Sequence, residues 1–238
     1  GKVDPAGTST VTCVATDPDG DNLSYTWSAT GGTFSGTEKV ILWKAPDTDG
    51  EFVISVTVDD GKGGTAEKQR TIVVGTPQRT MILEPVPDES GSVYSHGVIS
   101  DSWLVGDTAD NVGVQAFFSF DLTGLVHAEI IGAELTFNEP EIAGNPWTVH
   151  GILFVEQVQY GERPLRGGDF ELDGFELAKF ASSPPGTVDV TLPVSRLLRT
   201  PPKSRFQVRV RLGQPTDYDS KDDHLSFTGA TLNIIYVK

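Results

Sequence analysis

Apolar and polar side chains alternate with a two-residue period along most of this chain, the period that places successive side chains on opposite faces of a β-strand. Val11, Cys13 and Ala15 share one face of a first strand, and Leu23-Ser24-Tyr25-Thr26-Trp27 reads as a second. Between them, Asp17-Pro18-Asp19-Gly20-Asp21-Asn22 has the residues of a reversing turn and predicts that the two strands form a hairpin-like pair. Phe52, Ile54, Val56 and Val58 alternate with Val53, Ser55, Thr57 and Asp59 up to the turn Asp60-Gly61-Lys62-Gly63-Gly64, and Gln69 to Val74 forms a closing strand. Short strands at this spacing predict a β-sandwich.

The alternation breaks at Gly75-Thr76-Pro77-Gln78, where proline suits a short, stiff linker, so the predicted domains are residues 1–76 and 77–238. Beyond the break, Phe118, Phe120 and Leu122 share a face, as do Ala133, Leu135 and Phe137. The pattern returns in Val188, Val190 and Leu192, in Phe206, Val208, Val210 and Leu212, and in Ala230, Leu232, Ile234 and Tyr236. Each such Phe or Leu, once buried, contributes roughly 1.5–3 kcal/mol before entropy is subtracted. Only Pro193 to Leu198 reads as a brief helical turn. The predicted fold is all-β, an immunoglobulin-like β-sandwich followed by a larger jelly-roll-type β-sandwich.

Twenty-six glycines and 15 prolines agree with a turn-rich chain. The net charge of −15, from 18 basic and 33 acidic residues, is spread over both halves and repels phosphate backbones and anionic headgroups. Nucleic acid is therefore excluded as a partner, and no apolar run approaches the roughly 20 residues of a membrane-spanning helix, so no membrane insertion is expected. The opening Gly-Lys-Val-Asp has no signal-peptide pattern, which suits a processed or shortened polypeptide. Cys13 is the single cysteine, which excludes an internal disulfide and a cysteine zinc cluster; it reads as a small buried hydrophobe.

The run Ala15-Thr16-Asp17-Pro18-Asp19-Gly20-Asp21, then Leu23 to Trp27, then Val56-Thr57-Val58-Asp59-Asp60-Gly61-Lys62-Gly63-Gly64 resembles a polycystic-kidney-disease (PKD) domain or a close immunoglobulin-like relative. Such domains are extracellular sandwiches that serve as spacers and occasional binding modules. They usually begin with a further strand, where this chain has only Gly1-Lys2-Val3 ahead of the Asp4-Pro5-Ala6-Gly7 turn. The run Gly113 to Leu125, with Ile130 to Phe137, Val188 to Thr191 and Gly229 to Tyr236, resembles DNRLRE-type domains. These are sandwiches of secreted prokaryotic proteins related to carbohydrate-binding modules. That family commonly carries a basic residue just ahead of its central strand, where this chain has Gln115-Ala116.

Several residue groups carry candidate chemistry. Asp17, Asp19 and Asp21 with Asp59 and Asp60, and separately Asp217, Asp219, Asp222 and Asp223, offer the hard oxygen ligands that calcium takes, or else cap the amides of their own turns. Asp107, Asp110 and Asn111 form a sparser group. Trp147, which follows Asn145-Pro146 in a loop, is the first candidate for stacking on a sugar ring, with Trp103, Tyr160 and Tyr218 beside it. Arg205, Gln207, Arg209 and Arg211 fall on the outward face of one strand, a basic stripe that either meets a carboxylated polysaccharide or an acidic protein surface, or pairs across strands. The four histidines lack metal-ligand spacing, and no serine or carboxylate pair stands in a catalytic arrangement.

The expectation is a secreted or cell-surface, non-catalytic module. Its second domain binds carbohydrate or a cell-surface partner in adhesion, and its first is a spacer. The alternative is a self-assembling subunit of a surface layer, stalk or filament.

Overall fold

A computed structural model describes residues 1–199 and 201–237. The chain divides into two compact units, Gly1–Pro77 and Gln78–Lys238, each a sandwich of two β-sheets.

In the first unit, a sheet ordered Lys2–Val3, Thr65–Val74, Gly50–Asp59, Ser24–Ala29 faces a sheet ordered Thr8–Thr12, Val40–Lys44, Thr33–Ser35. The Asp60–Gly64 turn sets the longest pairing: Asp60 Oδ1 accepts the amides of Lys62 and Gly64 at 2.7 and 2.9 Å, so Gly50–Asp59 and Thr65–Val74 run side by side over their full length. Trp27, Ile41, Trp43, Ile54, Val56 and Ile72 fill the core. Trp43 is fully buried, and its indole donates to the Gly31 carbonyl at 3.1 Å. The chain bends over that ring at Gly32, whose φ of +77° and contact with Trp43 leave no room for a side chain.

One expected pairing is corrected. Thr8–Thr12 and Ser24–Ala29 lie in different sheets and make no hairpin; the Asp17–Asn22 segment crosses between the sheets instead. Both strands present apolar residues to one core, and that condition is met by placing them on opposite sides of it. Cys13 also departs from expectation, because it is half-buried and lines an open side of the sandwich.

In the second unit a large sheet runs Glu141–Ala143, Asp223–Phe227, Trp103–Asp107, Gly113–Asp121, Arg205–Leu212, Leu153–Val158, Phe175–Phe180. Gly91–Tyr94 also pairs with Gly113–Asp121 and carries Ile99–Ser100 on its other edge. Facing it is a sheet ordered Thr187–Asp189, Glu129–Asn138, Gly229–Val237, Arg79–Leu83. All these pairings are antiparallel. Phe118, Phe120, Phe206, Leu135 and Leu232 sit fully buried between the sheets. The expected helical turn is Thr191–Leu197, and a second short helix, Pro146–His150, accompanies it.

The outer face of the large sheet is not left to water. Residues 159–172 cross it as a strap, and Tyr160, Leu165 and Phe170 form a second, smaller core with Val93, Phe117 and Val158.

Candidate functional site

Under the strap, each buried polar side chain needs a partner, because an unmade hydrogen bond there costs about 1–3 kcal/mol. Gln207 Oε1 accepts the amides of Tyr160 and Gly161 at 2.9 and 3.1 Å, and its Nε2 donates to the Gly161 carbonyl at 2.8 Å. Tyr160 donates its hydroxyl to the Glu89 carbonyl at 2.6 Å; burial pushes its phenol pKa far up, so it stays a neutral donor. Arg205 holds Glu89 at 2.9 Å and Asp121 at 3.0 Å. The arginine stripe expected on an outward face is thus largely covered, and the strap is the physical reason.

Farther along the same strand, two guanidinium groups share one carboxylate. Arg209 Nη2 lies 2.6 Å from Glu156 Oε2, and Arg211 Nη2 lies 2.7 Å from Glu156 Oε1, its guanidinium over the Phe154 ring. Burial alone would raise the Glu156 carboxyl, and the hydrogen bonds and charges of Arg211 and Arg209 overcome it, so Glu156 titrates below the ordinary carboxylate range. The close approach of the chain at Gly174 permits this, since a Cβ there would lie 2.9 Å from Glu156 Oε2. A depressed carboxyl contributes stability that is present above its unfolded value, near 4.5, and lost as pH falls through the lower folded value. Thermal melts should therefore show the stability gap between the native protein and Glu156→Gln constant above about pH 5 and narrowing in more acidic solution. A gap that widens on acidification would contradict this.

Beside the pair lies an open cavity of about 320 Å³, walled by Phe170, Leu172 and Pro215 and bordered by Gln115, Arg209, Arg211 and the acidic Glu171. Gln115 is 8% exposed, and its Oε1 has no hydrogen-bond partner among the described residues. Two cations that share the Glu156 carboxylate, the acidic Glu171, an unsatisfied buried acceptor and apolar side chains thus border one space. The Arg211 side chain keeps 28% of its surface exposed there.

The loop after Pro215 leads to the end of the sandwich. Asp107 and His150 are fully buried and paired at 3.2 Å, and Asp107 Oδ2 accepts from Thr216 Oγ1 at 2.8 Å. Ser220 is bonded to Asn111, and the Ala109 amide to Asp222. Asp217, Asp219 and Asp223 bring ligand oxygens within 4.8 Å of one another. Their carboxylates carry up to six oxygens, and the Lys221 ammonium lies 2.6 Å from the one on Asp219. Asp223 accepts the Asn145 amide.

The first unit's acidic candidates cap their own turns: Asp17 Oδ1 accepts from the amides of Asp19 and Asp21, Asp59 from Gly61, and Asp60 from Lys62 and Gly64. Among the aromatics, Trp103 stacks on Phe118 at 5.7 Å and donates to the Phe117 carbonyl, and Tyr160, a residue of the strap, is buried in the smaller core with Phe117. Trp147 lies in the first turn of the helix Pro146–His150 and packs half-buried against the core; proline and asparagine there start a helix rather than a free loop. Tyr218, 77% exposed with φ of 64°, is the one of the four aromatics that projects freely.

Sequence reading passed over Gln115, Glu156 and Glu89 as site residues. The available signal was position: each is a polar side chain inside or beside an apolar strand, as in Leu153-Phe154-Val155-Glu156-Gln157-Val158.

A family model described as a bacterial Ig domain matches residues 2–73. No curated protein matches the chain. Similar solved structures include a nucleoside hydrolase-related hypothetical protein from Saccharophagus degradans associated with carbohydrate metabolism (23% identity over 31% of this chain and 21% of that chain, TM-score 0.26). Another is infectious bursal disease virus, Gx strain (11% identity, 97% and 56%, TM-score 0.34). A third is a carbohydrate-binding module of the β-sandwich superfamily, described for promiscuous specificity (13% identity, 99% and 88%, TM-score 0.25). The chain spans about a fifth of the first of these and just over half of the second.

Proposed function

We propose that the chain is a non-catalytic, secreted or surface-displayed recognition module. Its second unit holds a carbohydrate bearing a negative group, of the uronic-acid kind, and its first unit serves as a spacer. The observation that supports this reading is the unsatisfied Gln115 Oε1 beside Arg209 and Arg211, which share a single carboxylate. A sugar hydroxyl donates to the amide oxygen, and a sugar carboxylate meets the exposed part of Arg211. The C–H face of the ring rests on Phe170, Leu172 and Pro215. The volume suits a small ligand, at the lower end of the roughly 300–1,000 Å³ usual for such sites.

Isothermal titration against an oligogalacturonate and its neutral galactose counterpart tests the reading. The acidic sugar should bind and the neutral one should bind at least tenfold more weakly. Arg211→Ala and Gln115→Leu should each lose about tenfold in affinity, which is about 1.4 kcal/mol. Trp147→Ala should change little. Equal binding of both sugars, or acidic-sugar binding unaltered in both pocket variants, would refute it.

A further inference from the structure

The large sheet of the second unit ends in an open edge at Phe175–Phe180. That strand pairs with Leu153–Val158, and no strand runs along its other side among the described residues. The edge is internal to the chain: the strap leads into it, and the segment after it goes to Thr187–Asp189 in the facing sheet. Among the described residues, residues 175–180 make no backbone-to-backbone bond beyond the ladder with Leu153–Val158, so their outer row of amides and carbonyls faces water. Such a row is a template for a further strand unless charge, proline or a cover turns that strand away.

The charges on this edge are of opposite sign. The ladder skips Leu177, pairing Ala178 with Val155 and Glu176 with Glu156, while Lys179 lies opposite Phe154. Glu156 and Phe154 both point out of the sandwich, where Arg211 meets them. The extra residue of the bulge therefore puts Glu176 and Lys179 on that one outer face, exposed and 3.7 Å apart. Leu177, Ala178 and Phe180 turn the other way and pack half-buried at the rim of the core. Phe175 lies opposite Gln157, also on the core side, and is 66% exposed.

These positions are complementary to themselves. In an antiparallel pairing of two copies with the two-fold axis between Leu177 and Ala178, Glu176 faces Lys179 of the partner subunit and Lys179 faces Glu176 of the partner subunit. The same register sets Leu177 against Ala178 and Phe175 against Phe180, all on the core side. Sliding it by one residue sets both charges against apolar residues, which fixes the register. We propose that the protein associates as a two-fold dimer through this edge, so that the large sheets of two copies join into one. Six residues from each copy make a small contact, and the dimer therefore forms at high protein concentration. It stands apart from the sugar pocket, and its failure leaves the glycan reading intact.

Sedimentation of the full chain over a concentration series reaching the millimolar range tests the proposal, with hydrogen exchange followed in the same samples. The native chain should shift from monomer to dimer, and amides within Phe175–Phe180 should exchange more slowly as it does. Lys179→Glu and Glu176→Lys, both at exposed positions, should each weaken self-association at least tenfold, because like charges then meet at both ends of the contact. An equimolar mixture of the two variants should recover it, since one copy then carries two carboxylates and the other two ammonium groups. A native chain that stays monomeric throughout, single variants that dimerise like it, or a mixture that recovers nothing would overturn the proposal. So would a dimer that leaves the amides of Phe175–Phe180 unprotected.

Discussion

Glu156→Gln is expected to lower the stability of the second unit by about 3–5 kcal/mol, because it leaves two guanidinium groups, one of them buried, without their shared counter-ion. Arg209 is 5% exposed and directs Nε and Nη2 to Glu156, so its charge keeps only the Phe170 carbonyl as a partner once the carboxylate is gone. At roughly 2–4 °C per kcal/mol for a unit of this size, the melting temperature should fall by on the order of 10 °C. Arg211→Ala should cost less, since that side chain is 28% exposed and solvent screens it. Thermal scans of the three proteins at neutral pH measure both effects. A shift below about 2 °C for Glu156→Gln would mean that the pair is not the buried network described.

Trp43→Ala is expected to unfold the first unit while leaving the second intact. Removing a fully buried tryptophan costs about 3–5 kcal/mol, comparable with the whole stability of a small domain. It also removes the indole that donates to Gly31. The two units have separate core clusters with no residue in common. In hydrogen exchange, amides of Gly50–Asp59 and Thr65–Val74 should lose protection while those of Gly113–Asp121 and Arg205–Leu212 keep it. Loss of protection in all four strands would show that the sandwiches do not fold as separate cooperative units.

The contrast between what could and could not be read from the chain follows from the range of the interactions. Alternation is local, so the shared inward face of Phe118, Phe120 and Leu122 and the all-β, two-sandwich architecture were legible from neighbouring residues alone. Strand partnership is not local: the turn residues at Asp17–Asn22 predict a reversal, yet that reversal joins two sheets rather than one hairpin. The same limit applies to Arg205, Arg209 and Arg211. Their period places them on one outer face, but the cover comes from residues 159–172, about 40 positions away, and from Glu89 and Glu156. A lone glutamate among Leu153, Phe154 and Val155 hints at a buried cation, though which of 18 basic residues answers it is a tertiary fact. The loop aromatics meet the same limit. Whether an indole stacks on a ligand or seals a sandwich depends on packing, and Trp103 and Trp147 both pack against the core.

The most direct measurement is nitrogen-15 NMR of the side-chain amide of Gln115 and the Nε–H of Arg211 during titration with trigalacturonate. The sugar-binding account predicts that both signals move together, saturate at one equivalent and stay still when neutral galactotriose is added. Binding that moves neither signal, or that moves only the loop around Tyr218, would contradict it.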